Sequence, residues 1–202
     1  APGTELVYGF RREIKKETLR RAVEKGTVER YLQHVPVRKD DVFYIEAGTV
    51  HALGAGALVA EVQESSDLTY RLYDYDRTDK NGRKRELHVE RALAVADLGG
   101  SAEPRQPLRV LKYRQGCAME LLCRCRYFEV YRMLINTERC RSLVEYQSDS
   151  SSFRVLLCVG GCGSVVTEEG SFHFFKGDCM FFPADSAKVR IHGRAQLLDV
   201  RG

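Results

Sequence analysis

The sequence predicts an all-β protein with a small helical insertion, and three of its features support this prediction. Aromatic and β-branched residues recur in short runs that glycine or proline turns separate. Over residues 13–35, in contrast, apolar residues follow a helical spacing among charged ones. Glycine, serine and proline cluster over residues 99–107, as they do in linkers. We therefore expect two domains, residues 1–105 and 106–202.

The first domain opens with "ELVYGF" (5–10), whose loose alternation of apolar residues predicts a strand. Two short helices are expected over residues 13–35. Gly26 would end the first helix and Thr27 would cap the start of the second, before Pro36 stops the helical run.

The rest of the first domain is predicted to return to strands. The aromatic and β-branched residues of segment 42–76 predict consecutive strands with glycine turns. The segment "RTDKNGRKRELH" (77–88) is expected to be a loop built on Asn81-Gly82, and "VERALAVADL" (89–98) a short helix.

The second domain reads as strands throughout. Short apolar runs follow one another with a turn every several residues, which indicates an all-β sandwich or barrel. The runs are "RVLKY", "YFEVYRMLI", "FRVLLCV", "CGSVVTEE", "SFHFFKG", "CMFFPA", "KVRIHG" and "QLLDV".

An ungapped comparison of residues 40–51 with residues 177–188 indicates an internal repeat. The two segments share an aspartate and an alanine at matching positions and the same order of turns and strands. The chain is thus predicted to hold two copies of one β-barrel module. His51 of the first copy aligns with Lys188 of the second. Because an ammonium group has no lone pair for a metal, we expect the second domain to be metal-free.

The charge pattern excludes several classes of partner. The net charge is +4, and no Lys/Arg block is interleaved with aromatic residues, so nucleic-acid binding is not expected. The basic run 83–85 lies between Asp79 and Glu86 and is interpreted as a solvated loop. The longest apolar runs are too short to cross a membrane, and the start lacks a signal pattern, so a cytoplasmic protein is expected. Since the first residue is Ala1, the chain is either processed or a piece of a longer protein.

All seven cysteines follow residue 116, and their odd number favours free thiols in a reducing compartment. Cys123 and Cys125 have the spacing of half a zinc knuckle, but no second Cys/His pair follows at zinc-finger spacing. Buried or half-buried thiols in strands are therefore the expected interpretation.

His51 lies in "AGTVHALGAG" (47–56), where a glycine-flanked histidine can be a metal ligand, a general base or a turn residue. Downstream, "ALVAEVQES" (57–65) alternates as a strand does. Alternation would turn Leu58, Ala60 and Val62 to a packed face, and Glu61 with Gln63 to solvent or a polar barrel interior.

Asp67 and Arg71 stand four residues apart in "SSDLTYR". In an extended chain they would share a face and could cooperate on a small anionic ligand. The alternative is a surface Asp–Arg ion pair.

The segment "FYIEAGTVHALGAGALVAEVQESSDLTYRLYDYDR", followed by "RELHVERAL", resembles the class I mannose-6-phosphate isomerases, with the short bacterial type as the nearest match. The resemblance extends along nearly the whole chain and includes "KGDCMFFPA" of the second copy. It implies a zinc-dependent enzyme of two cupin (jelly-roll) barrels that interconverts mannose 6-phosphate and fructose 6-phosphate. It further implies that residues 1–105 are the C-terminal part of the catalytic cupin, and 106–202 a degenerate second one.

The resemblance also assigns roles to individual residues. His51 matches a zinc ligand, Glu61 an active-site carboxylate, and Asp67 with Arg71 a polar pair beside the substrate. Arg71 is the residue expected to bind substrate, either at the phosphate or at the reacting oxygens.

The sequence departs from the family pattern in three places. Asp40 and Glu46 occupy positions where glycine and proline are common. The remaining zinc ligands of the family, a Gln-x-His pair and a glutamate, are expected upstream, and no Gln-x-His-Pro occurs in the 202 residues. The chain is therefore expected to be a C-terminal fragment whose first cupin lacks its opening strands and which is inactive alone.

Two other functions stay open at this point. One is a non-catalytic cupin module that binds sugar phosphates. The other is a non-haem metal oxygenase, which needs two histidines and a carboxylate. Because the other four histidines do not stand at cupin ligand spacing around His51, the oxygenase is ranked last. For the isomerase we expect a monomer with a sugar phosphate as its small-molecule partner.

Overall fold

The computed structural model describes residues 3–101, 110–140 and 142–202. The fold is mostly β with two short helices, which confirms the predicted β class. The chain divides into two compact units, residues 1–105 and 106–202. The predicted linker at 99–107 lies, from residue 102 onward, outside the described residues.

The first unit contains a three-stranded antiparallel sheet in the order β2-β1-β3. Its strands are β1 (Glu5–Phe10), β2 (Leu32–Pro36) and β3 (His51–Leu53). Strand β1 lies in the centre and pairs Leu6 with both Val35 and Leu53. The first predicted strand is therefore confirmed at its predicted bounds.

Only one of the two helices predicted over residues 13–35 is formed. Helix α1 (Lys16–Glu24) ends in a Schellman motif. Gly26 adopts a positive φ of 64° and donates its N–H to the Val23 carbonyl, and Thr27 donates to the Ala22 carbonyl. Thr27 therefore completes the end of α1, and its side chain caps no second helix. In place of that helix the chain makes a single 3₁₀ turn at Val28–Arg30.

The strand β2 was wrongly predicted as helix. Pairing with β1 outweighs the helical spacing of its apolar residues, because a local preference yields when backbone groups find partners in a sheet.

The second helix of the unit, α2 (Val89–Val95), forms where the sequence predicts one. It packs with α1 over a core in which Phe10, Leu19 and Val28 are completely buried and Leu93 nearly so. Within the described residues, neither helix has the length and apolar character needed to cross a membrane.

The second unit is one eight-stranded antiparallel sheet. Six strands follow the order β10-β8-β11-β6-β5-β4, while β7 pairs with β11 and β9 with β8. The strands are β4 (Val110–Arg114), β5 (Cys117–Arg124), β6 (Glu129–Asn136), β7 (Val144–Tyr146), β8 (Arg154–Val166), β9 (Ser171–Phe175), β10 (Cys179–Phe182) and β11 (Val189–Arg201).

The two longest strands, β8 and β11, replace four shorter predicted ones. The glycines between the predicted runs indicate turns at Gly160-Gly161 and near Gly193, but the strands continue through both places. The register shifts at Gln196/Leu197, opposite Gly160, and Gly161 has a φ of 76°. The glycines therefore accommodate a bulge within a continuous ladder.

The core of this unit lies on the inner face of the sheet, where Met133, Leu156, Ile191 and Leu197 are completely buried. Two of its strands, β5 and β7, were not predicted.

All seven cysteines are free thiols, and three of them are buried. The expectation of buried or half-buried thiols in strands is wrong for Cys162 and Cys179, which are exposed, and for Cys125 and Cys140, which lie outside the strands.

The repeated segments 40–51 and 177–188 share backbone geometry. Asp41 and Asp178 each accept, through Oδ2, the backbone N–H of the residue three positions earlier, at 2.8 and 2.7 Å. The residue before each aspartate has a positive φ, 69° at Asp40 and 104° at Gly177. The residues that follow the shared alanines, Ala47 and Ala184, also have a positive φ, which is 92° at Gly48 and 56° at Asp185. Both copies therefore make the same two turns.

Candidate functional site

His51 opens strand β3 and lies opposite Tyr8 of β1. Its side chain is exposed, and its Nδ1 lies 2.9 Å from the Thr49 carbonyl oxygen. Because a carbonyl only accepts, Nδ1 carries the proton in this bond. The lone pair of a neutral His51 is then on Nε2, which faces away from the turn backbone. A histidine that ligates a metal is commonly oriented in this way.

Of the consecutive strands predicted over residues 42–76, only the short β3 (His51–Leu53) is formed, and the strand expected over residues 57–65 is absent. The segment has no regular structure, and Leu58, expected on a packed face, is 85% exposed. A strand exists only where a neighbouring strand bonds its backbone, and none of the described residues pairs with this segment. Glu61 and Gln63 are both exposed, which agrees with the expected placement toward solvent, although no strand alternation produces it.

Asp67 and Arg71 do not form the surface ion pair considered above. Asp67 is exposed, while Arg71 is half-buried and donates through Nη1 to the Glu86 carbonyl oxygen at 2.9 Å. No hydrogen bond or ion pair joins any two of the four predicted site residues, all of which the structure describes.

His88, to which the sequence gives no role, is a neighbour of Arg71. Its Nδ1 accepts the Arg71 backbone N–H at 3.2 Å, and its own backbone N–H donates to the Arg71 carbonyl at 2.7 Å. The Tyr70 ring contacts the imidazole edge-on, with centroids 6.5 Å apart. The histidine was set aside for its spacing from His51; its distance along the chain from Arg71 carries no signal for this contact.

The structure contains no ready metal centre in its described part. Across residues 3–101, 110–140 and 142–202, no group of three or more His, Cys, Asp or Glu side chains is placed to hold an ion. His51 has the orientation of a metal ligand, but no further ligands stand beside it among these residues. Lys188, its counterpart in the second copy, forms a surface ion pair with Glu145 at 3.2 Å.

A cleft in the first unit was missed by the sequence analysis. It is lined by Lys25, Tyr73, Asp74, Arg77, Lys84 and Arg85, among others, and is called the Asp74 cleft below. Asp74 is 6% exposed and accepts hydrogen bonds from Arg77 and Arg85, and the Arg85 guanidinium lowers its pKa to about 2.

The basic run 83–85 is thus not simply a solvated loop, since Lys84 and Arg85 both have acidic partners. The loop on Asn81-Gly82 is confirmed, because Asp79 accepts the backbone N–H groups of Asn81 and Arg83 at 2.8 and 2.9 Å. The clustering of acids and bases in "YDYDRTDKNGRKR" was the available signal for the cleft.

Comparison with known proteins connects both units to one group of enzymes. Residues 119–201 match the family model described as mannose-6-phosphate isomerase, cupin domain. The chain is 34% identical over 197 residues to the mannose-6-phosphate isomerase ManA of Bacillus subtilis (strain 168), covering 96% of the chain and 59% of the relative. It is 33% identical to the mannose-6-phosphate isomerase of Streptococcus mutans, covering 97% of the chain and again 59% of the relative.

The fold agrees with this similarity. A crystal structure of the mannose 6-phosphate isomerase from Bacillus subtilis superimposes with a TM-score of 0.86 at 32% identity, covering 99% of the chain and 61% of the enzyme. The chain spans about three fifths of the length of the curated relatives it matches. It is therefore related to the bacterial mannose-6-phosphate isomerases, and residues 119–201 correspond to their cupin domain.

Proposed function

We propose that the complete protein is a mannose-6-phosphate isomerase that interconverts mannose 6-phosphate and fructose 6-phosphate. The observation that carries this proposal is the superposition of nearly the whole chain on an enzyme of that name, at 32% identity. The relatives are longer than the chain, so the activity is proposed for the complete protein rather than for these 202 residues.

The proposed architecture is two cupin barrels, the first of them completed by a segment outside the sequence. The two matching turns of segments 40–51 and 177–188 support a duplicated module. The irregular segment 54–70 supports an incomplete first barrel. It leaves Leu58 and Leu68 largely exposed, and the proposed additional segment would cover them.

We further propose that His51 is one ligand of a zinc ion in the complete protein. Support comes from the Thr49 carbonyl, which fixes Nδ1 as donor and leaves Nε2 for a metal. The other ligands, a Gln-x-His pair and a glutamate, are proposed to lie upstream, as the family resemblance implies. Bound zinc would supply a Lewis acid that polarises the two oxygens of the open-chain sugar. The second unit is proposed to be metal-free, since Lys188 stands at the ligand position.

The reaction moves a proton between C1 and C2 through an enediol intermediate on which negative charge develops at oxygen. Arg71 is proposed to face that charge or the phosphate, because a guanidinium offers a planar pair of donors to oxyanions. With Nη1 on the Glu86 carbonyl, its remaining donors are available to a ligand. Glu61 and Asp67 are proposed to orient the hydroxyls or to relay the proton. Both carboxylates are exposed and so accessible to a substrate.

The alternative is a sugar-phosphate-binding cupin that catalyses nothing. The described part of the chain holds no complete ligand group, which is compatible with both functions when the isomerase has its other ligands upstream. The complete open reading frame separates the two, since the isomerase requires the upstream ligands and the binding module does not.

The proposal is tested by assaying the complete protein for conversion of mannose 6-phosphate and by measuring its zinc content. One zinc per chain is expected in the wild type, and His51→Ala should lose both zinc and turnover with the fold intact. His173→Ala, at an exposed histidine of β9, is the matched control and should keep both. Full zinc and full activity in His51→Ala would contradict the assignment, and an inactive zinc-free wild type would favour the binding module.

Light scattering on the same sample tests the predicted monomer, and cell fractionation tests the predicted cytoplasmic location.

The role of Arg71 is tested by Arg71→Lys, which keeps the charge and removes the fork. If Arg71 acts on the reacting oxygens, kcat and kcat/KM should fall together. The fall should correspond to a loss of roughly 2–4 kcal/mol of transition-state stabilisation. If it only binds the phosphate, KM should rise while kcat stays near wild type. Wild-type values for both constants would remove Arg71 from the site.

A further inference from the structure

The Asp74 cleft lies beside the end of helix α1 and encloses about 260 Å³. None of the four predicted site residues lines it. Four basic and three acidic side chains do, so the cleft carries one net positive charge. This volume lies just below that of pockets for drug-sized ligands, so the cleft suits a smaller solute such as a single anion.

Two guanidinium groups in the cleft are fixed by one buried carboxylate. Arg77 donates through Nη2 to Asp74 Oδ1 at 2.8 Å, and Arg85 donates through Nε to Oδ2 at 2.8 Å and through Nη2 to Oδ1. A single negative charge therefore faces two positive ones. The low pKa of Asp74 keeps that carboxylate ionised, so both guanidinium groups stay anchored at neutral pH.

The anchoring leaves hydrogen-bond donors unused. The Nη1 group of Arg77 and that of Arg85 donate to none of the described residues. Arg77 and Arg85 are both more than half exposed, so these groups are accessible to a solute. Lys25, the residue after α1, adds an ammonium group with no acidic partner among the described residues. An oxyanion with several oxygens matches such a set of donors.

The backbone beside the cleft is strained. Tyr75 and Asp76 are consecutive residues with positive φ, 55° and 52°, and neither is glycine. The surrounding contacts hold this turn: Arg77 donates its N–H to the Asp74 carbonyl at 3.0 Å, and Lys84 pairs with Asp76 at 2.6 Å. Strain of this kind persists where its surroundings fix it and is concentrated at binding sites.

We propose that the Asp74 cleft binds a phosphate group, through Arg77, Arg85 and Lys25. The ligand is either inorganic phosphate or the phosphate of a monoester such as a sugar phosphate, since both present the same oxygens. The proposal does not rest on the isomerase activity, because binding is measured without turnover.

The test is calorimetric titration of the complete protein with inorganic phosphate, for which saturable binding at millimolar concentration is expected. Arg77→Lys keeps the charge, but a single ammonium group cannot bond Asp74 and also present the donor that Nη1 supplies, so the Kd should rise roughly tenfold. Its matched control is Arg20→Lys, at another guanidinium that pairs bidentately with a carboxylate but lies outside the cleft, and there the Kd should not change. Circular dichroism checks that both variants fold.

A second pair of variants leaves Asp74 and its partners untouched. Lys25→Glu should weaken phosphate binding at least as much as Arg77→Lys, while Lys80→Glu, in the nearby Asp79–Arg83 turn, should have little effect. Displacement of phosphate by mannose 6-phosphate but not by mannose would identify the monoester as the ligand, and no displacement would identify free phosphate. Absence of saturable binding, or binding that Arg77→Lys and Lys25→Glu leave unchanged, would overturn the proposal.

Discussion

His88 Nδ1 accepts the backbone N–H of Arg71 at 3.2 Å, and the His88 backbone N–H donates to the Arg71 carbonyl at 2.7 Å. Together with the bond from Arg71 Nη1 to the Glu86 carbonyl, these contacts hold the arginine at its backbone and at its guanidinium. The half-buried imidazole is therefore suited to position Arg71 rather than to bind a metal.

We expect His88→Ala to lower kcat/KM of the complete protein roughly tenfold, because a misplaced catalytic group costs rate without leaving the site. His88→Asn should restore most of the loss, since the asparagine oxygen lies near the position of Nδ1 and can accept the same N–H. His34→Ala, which removes a surface partner of Glu5, is the control. Equal losses in His88→Ala and His88→Asn would show that the imidazole acts only through packing.

Elements defined by local chemistry could be predicted from the sequence. The end of α1 at Gly26 follows from the need for a positive φ, and the turn at Asp79–Arg83 from an aspartate that bonds its own backbone. The strand over residues 57–65 could not be predicted reliably, because a strand depends on a partner that its own residues do not specify. The same reason explains β2, where pairing with β1 decides against the helix.

Spacing along the sequence was a poor guide to contacts between distant residues. Arg71 and His88 are 17 residues apart, and Asp74 meets Arg85 across 11. Both contacts depend on how the Asp79–Arg83 turn folds the chain back. The sequence therefore identified candidate residue types, while the turn determined which of them are neighbours.

Asp74 should make the stability of the protein depend on pH in the acid range. Its pKa is about 2, below the ordinary value of 3.8, so the ionised form is favoured by the fold. Its stabilisation is complete above about pH 5 and is lost progressively as the pH falls through about 2. Asp74→Asn should therefore have a lower melting temperature than the wild type at pH 7, and the difference in melting temperature should shrink toward pH 2. Asp76→Asn, at a carboxylate whose side chain is 78% exposed, is the control and should show a small gap throughout. A gap for Asp74→Asn that does not change with pH would refute this account.

Tyr146 and Asp199 form a buried pair in the second unit. The Tyr146 hydroxyl donates to Asp199 Oδ1 at 2.9 Å, and Asp199 is only 1% exposed. Burial raises the pKa of both groups, and Arg154 lies 3.5 Å from the other oxygen of Asp199. Tyr146→Phe should lower the free energy of unfolding by about 1–3 kcal/mol, since it leaves a buried acceptor without its donor. Urea unfolding measures this loss, and Tyr113→Phe, at a residue 75% exposed, should stay within about 0.5 kcal/mol of wild type. Similar small effects in both variants would mean that water replaces the hydroxyl.

Gly161 is required by the bulge that lets β8 and β11 continue as one ladder. Its φ is 76°, and a Cβ there would lie 2.1 Å from the Arg194 carbonyl oxygen and 2.9 Å from Ala195 Cα. Gly82 has nearly the same φ, 75°, but a Cβ on it would meet nothing within 4 Å. Gly82→Ala should therefore cost only the backbone strain, about 1–2 kcal/mol. Gly161→Ala should cost about 1–3 kcal/mol more, because rigid backbone of β11 must also move. Chemical denaturation of the two variants measures the difference. Equal losses would show that the strands separate freely at this point and that φ alone selects glycine there.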